Sequence, residues 1–81
     1  MDVDLRFVLI QIANGKYRVT FHAQKRMIER RVTHSDVRRC AKTGSANWEE
    51  DKIRIVGKDL DNEELTLICV FTEDIILITV F

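Results

Sequence analysis

At residue 45 the hydrophobic period of this chain changes from helical to strand-like, and a run of helices followed by a run of strands defines an α+β architecture. Upstream of the change, Thr33 stands three residues before Asp36, the spacing of a capping box with Asp in place of the usual Glu. Val32 and Val37 supply the matching hydrophobic staple, Val37, Cys40 and Ala41 form the buried face, and Gly44 is placed as the C′ residue. Downstream, Lys52-Ile53-Arg54-Ile55-Val56 alternates, and Gly57 ends or bulges it. Leu65–Phe71 and Ile75–Val80 are rich in β-branched residues and separated only by Thr72-Glu73-Asp74. Asp59-Leu60-Asp61-Asn62 reads as a turn, with Asn62 suited to positive φ. Connections this short make an antiparallel meander, with Ala46–Glu49 as an outer strand. The expected fold is α+β, with helices packed on one face of a three- or four-stranded antiparallel β-sheet. It forms one domain over residues 1–81, with a basic helical part over about 1–44 and a sheet part over about 45–81.

Val3 to Ala13 is almost wholly apolar and ends in Asn14-Gly15, which predicts a helix capped by Asp2. Tyr17–Thr20 is a short extended piece, and Thr20 caps a second helix over about 21–31. A third follows over 34–43, so the two join at a tight corner around Arg31–Val32. Both C-terminal strands are apolar on both faces: Ile75, Leu77 and Phe81 on one, Ile76, Ile78 and Val80 on the other. One face covers the basic helices; the other calls for the N-terminal helix or a partner chain.

The net charge of zero hides a division. Residues 16–42 hold nine Lys/Arg against two Asp/Glu, whereas residues 43–81 hold three against nine. A basic helical half and an acidic sheet half would orient an encounter with nucleic acid. Met1 is followed by Asp2 and Asp4, not by a basic leader, and the longest apolar runs are too short to cross a bilayer. The expected setting is cytoplasmic, with no membrane partner. Cys40 and Cys69 sit inside apolar patterns and read as small buried hydrophobes. With His22 and His34 they offer no metal-binding spacing, so neither a metal site nor a cofactor is expected.

The densest chemistry lies in the second helix. His22, Arg26 and Arg30 recur at i, i+4 and i+8, and Lys25 and Glu29 share their sector, while Ala23, Met27 and Ile28 lie across from it. Imidazole titrates near neutrality, so His22 suits a general acid or base. Arg26 and Arg30 could clamp a phosphate, and Arg54 and Lys52 on the adjacent strand could complete the cluster. Arg31, Arg38, Arg39 and Lys42 extend the basic surface as nucleic-acid contacts or as an ordinary solvated face. Trp48, beside Glu49-Glu50-Asp51, fits packing or a protein contact better than base stacking.

Thr20-Phe21-His22-Ala23-x-x-Arg26-Met27-x-Glu29-Arg30, then Val32-Thr33-x-x-Asp36-Val37 and Gly44, resembles a bacterial domain-of-unknown-function family, number 4258. Ile55-Val56-Gly57 and Leu77-Ile78-Thr79-Val80 match it as well, so the likeness spans roughly residues 4–81. Arg31 departs from the pattern, standing where the family usually has glycine. The resemblance implies a compact fold similar to RelE- and BrnT-type ribonuclease toxins, and hence RNA cleavage without metal. Toxins of that type tend to carry catalytic side chains on or after the last strands, where this chain offers only Thr79.

Two readings follow. In the first, the chain is a toxin-type endoribonuclease module with His22, Arg26, Arg54 and Thr79 at the reacting phosphate. Lys25, Arg30, Arg31, Arg38, Arg39, Lys42 and Lys52 then hold RNA or the ribosome. In the second, it is a non-catalytic interaction domain, or a degenerate toxin, whose apolar sheet face or N-terminal helix docks an antitoxin-like protein or a second copy. His22 and Arg26 then brace the helix on the sheet.

Overall fold

Each helix starts on a side chain that can accept from its first free amides. In the computed structural model, which describes residues 4–81, α1 spans Leu5–Ala13, α2 Phe21–Arg30 and α3 His34–Thr43. Asp4 caps α1 by accepting from the Arg6 amide at 2.9 Å; Asp2, the expected cap, lies outside the described residues. Thr20 caps α2, and Thr33 with Asp36 completes both halves of the capping box on α3. Asp36 also accepts from the Leu60 amide at 2.9 Å, tying the start of α3 to a sheet turn 24 residues away.

The strands are β1 (Arg18–Val19), β2 (Ser45–Glu49), β3 (Lys52–Lys58), β4 (Glu64–Phe71) and β5 (Ile75–Val80), in the spatial order β1-β5-β4-β3-β2. The sheet therefore has five strands, not three or four, and it is mixed. β1 runs parallel to β5, pairing Arg18 with Ile76 and Val19 with Leu77; the other neighbours are antiparallel. Two residues carry no period of their own, so only the partner strand turns this extended piece into part of a ladder.

One face of the sheet bears the core. Ile53, Ile55, Leu67, Cys69, Leu77 and Val80 are buried against Val8 and Ile12 of α1, Ala23 and Met27 of α2, and Val37, Cys40 and Ala41 of α3. α1 packs on α3 over this same face, so it does not cover the second one. That second face presents Ile68, Val70, Ile76 and Ile78, each partly exposed, and no described element lies over them.

Three local details depart from expectation. Gly57 sits inside β3 and neither ends nor bulges it; a Cβ there would fall 2.2 Å from the Cys40 carbonyl oxygen. Gly44 is extended (φ −101°, ψ 178°) rather than left-handed, and its missing Cβ leaves room for the Val56 carbonyl. These two glycines let the end of α3 rest on β3 backbone to backbone. The bulge occurs in β5 instead, where Ile78 and Thr79 together oppose Ile68. It reverses the alternation beyond it. Val80 enters the core with Leu77, and Phe81 joins Thr66 on the open side, reversing the faces expected for both.

Candidate nucleic-acid interface

α2 is fastened at its start and cationic at its side. The Thr20 hydroxyl accepts from the Ala23 amide at 3.0 Å and donates to the Ile78 carbonyl at 3.2 Å, pinning the helix to the bulge of β5. Ala23 and Met27 face the core, which leaves His22, Lys25 and Arg30 exposed and Arg26 partly buried. His22 makes no hydrogen bond to any described residue, so the imagined brace to a strand is not formed by its ring. The Arg26 guanidinium lies 5.9 Å from the centre of the Phe81 ring, a cation–π approach between α2 and the end of the sheet. Ile28 does not join the buried side as its position opposite the stripe suggests; it is 78 % exposed, and Phe21 is 84 % exposed.

The corner into α3 is made by Arg31, left-handed at φ 55° and ψ 38°. On α3, Arg38, Arg39 and Lys42 line a shallow depression with Ser35 and Leu60, and Arg38 donates to the Ser35 hydroxyl at 2.9 Å. This cluster is on the helical side of the molecule. Lys52 and Arg54 alternate with the core residues Ile53 and Ile55, so they emerge on the opposite, open face of the sheet. There they line a second depression with Thr79, Ile68, Ile78 and Phe81. Arg54 and Thr79 are thus brought together, with Arg26 at their border over Phe81. His22, Arg26, Arg54 and Thr79 form no shared hydrogen-bond network, and the expected RNA contacts divide between two sides of the fold.

Ion pairing separates the two sides further. Among the described residues Arg54 pairs with Glu49 at 3.3 Å, Lys52 with Asp51 at 3.5 Å, Arg18 with Asp74 at 3.4 Å and Arg6 with Asp4 at 3.8 Å. Lys25, Arg26, Arg30, Arg31, Arg38, Arg39 and Lys42 have no carboxylate partner there. The sheet cations are partly neutralised in place. The helix cations are not.

One polar pair was not singled out from the sequence. The Tyr17 hydroxyl lies 2.6 Å from Nδ1 of His34, and burial pushes the phenol above its ordinary range despite the opposing field of Arg38. His34, the first residue of α3, is exposed but held; no local motif signals a partner 17 residues earlier. Cys40 and Cys69 are free and buried, and burial pushes both thiols up to about 12, so neither is a thiolate near neutrality. Among the described residues no three His, Cys, Asp or Glu side chains gather as metal ligands. No helix of the structure is long and apolar enough to cross a membrane.

Fold and surface together define a small α+β domain with an unneutralised cationic helical surface. A family model described as "Domain of unknown function (DUF4258)" matches residues 19–81, and the chain belongs to that family. The match begins at β1, so α1, which contributes Val8 and Ile12 to the core, precedes it. No curated protein and no solved structure matched the chain.

Proposed function

We propose that this chain is an RNA-binding module of the RelE/BrnT toxin type that cleaves RNA without metal. The observation that supports it is the set of seven cations on α2, the Arg31 corner and α3 that have no carboxylate partner among the described residues, against ion-paired Lys52 and Arg54 on the sheet. Unpaired Arg and Lys gain most from phosphate, because no carboxylate must first be displaced. Attack of a ribose 2′-hydroxyl on the adjacent phosphorus needs a base for its proton, an acid for the departing oxygen and cations for the phosphorane charge. In this reading His22 takes the 2′-hydroxyl proton and hands it to the departing 5′-oxygen as its bond to phosphorus breaks, while Arg26 and Arg30, one and two turns on, hold the phosphate.

Binding of labelled single-stranded RNA and of ribosome-bound message, with cleavage followed on gels, tests the proposal. Affinity should fall steeply with salt, chelators should leave cleavage unchanged, and His22→Ala should abolish cleavage while keeping both fold and binding. Wild-type protein that neither binds RNA in a salt-sensitive way nor cleaves it would overturn the reading.

The open sheet face favours a second one. Ile68, Val70, Ile76 and Ile78 form an apolar surface suited to a protein partner such as an antitoxin. Arg26 then serves the fold through Phe81. Partner binding lost on Ile76→Lys, with no RNA binding by wild type, would select it.

A further inference from the structure

The sheet has one long free edge among the described residues. β1 is only two residues long, and the chain leaves it directly into α2, which lies along β5. β2, at the other edge, pairs all five of its residues with β3 in a continuous register without a bulge. It contains neither Lys nor Pro, the usual means by which an edge strand is kept from pairing. It also exposes Trp48 at 49 %.

The hydrogen-bonding parity of this edge follows from its hairpin. Glu49 and Lys52 flank a two-residue turn, so they form a hydrogen-bonded pair, as do Asn47 with Arg54 and Ser45 with Val56. The amides and carbonyls of Ala46 and Trp48 therefore point away from β3. We propose that β2 is a homodimer interface, in which two copies join antiparallel at their β2 edges with Asn47 of each opposite Asn47 of the other.

Three registers bring outward groups to outward groups in a twofold pair, and side chains choose among them. Centring on Asn47 sets Trp48 against the second copy's Ala46, twice, so the large exposed indole covers a small neighbour on the helix side of the sheet. Both Ala46–Trp48 pairs then exchange amide and carbonyl bonds. Ser45 meets Glu49, and the acidic Glu49-Glu50-Asp51 turn comes beside the second copy's Thr43–Ser45, just past Lys42 in the last turn of α3. The two Glu49 residues stand four positions apart, about 13 Å, beyond a physiological screening length of about 8 Å. Centring on Trp48 halves that separation and opposes two indoles; centring on Ala46 leaves Trp48 facing Gly44. Only the first register covers each Trp48 with a side chain of the other copy without setting the two indoles against each other.

Sedimentation of the full chain at micromolar concentration should show a dimer. Ala46→Pro removes an outward amide without touching the ladder to β3, and it should yield monomers with an unchanged circular-dichroism spectrum. A facing non-hydrogen-bonded pair has Cα atoms about 4.5 Å apart, within the reach of a disulfide at about 4.4–6.8 Å. Asn47→Cys should accordingly form an intermolecular disulfide under mild oxidation, whereas Ser45→Cys should not. Buried Cys40 and Cys69 stay out of this reaction. A monomeric wild type, a dimer that survives Ala46→Pro, or crosslinking at Ser45→Cys as efficient as at Asn47→Cys would each overturn the proposal.

Discussion

Among the described residues, the Asp36 carboxylate accepts more hydrogen bonds than any other. One carboxylate oxygen accepts from the Thr33 amide at 2.8 Å and hydroxyl at 2.9 Å, and the other accepts from the Leu60 amide. Burial pushes the carboxyl upward, but these bonds outweigh it and hold it below its ordinary 3.8. A carboxyl depressed on folding adds stability that is fully present above the unfolded value and is lost as pH falls through the folded one. Asp36→Asn should therefore flatten the acid side of the stability profile below about pH 4, read from denaturant midpoints across pH. Asp36→Ala should cost about 2–3 kcal/mol, because it leaves the Leu60 amide without its charged acceptor. Arg31 offers the opposite case. Its left-handed φ of 55° suits glycine, so Arg31→Gly should raise stability by about 1 kcal/mol. If Arg31 also holds phosphate, the same substitution should weaken RNA binding, and a rise in thermal midpoint with a loss of affinity would separate the two effects.

At the scale of elements, what was legible in the sequence was what local chemistry decides. The capping box at Thr33 and Asp36, the corner at Arg31, the positive φ of Asn62 and the strands from Lys52 onward all rest on neighbours within a few residues. Thr33→Ala should accordingly lower stability by about 1 kcal/mol, and an unmoved thermal midpoint would mean that tertiary contacts alone hold α3. What escaped depends on distant partners. β1 exists only beside Ile76 and Leu77, and the bulge that sends Phe81 under Arg26 depends on how β5 meets Ile68. The split of the basic residues between two sides was hidden for the same reason, since adjacency in a cluster of charges says nothing about which side of a sheet each reaches. Gly57 belongs here too. Its place in the strand is explained by the Cys40 carbonyl, and Gly57→Ala should be severely destabilising because the atom in the way is backbone. Loss of the cooperative thermal transition is the expected outcome.

For the whole molecule, the division of charge along the chain becomes a division in how charges are partnered. The acidic residues of the sheet half neutralise Lys52 and Arg54, while those on the helices remain available. Binding to RNA should then depend on the second group and hardly on the first. Each phosphate contact adds about 0.7 to the slope of log affinity against log salt for single-stranded nucleic acid. Arg38→Gln and Arg39→Gln should each weaken affinity and lower that slope by about 0.7. Arg54→Gln should leave the slope unchanged, because its guanidinium already faces Glu49 at 3.3 Å. Anisotropy titrations at several salt concentrations measure both quantities in one experiment. A slope that falls equally for Arg54→Gln and Arg39→Gln would place RNA across both sides of the sheet, and the helical surface would lose its claim to be the interface.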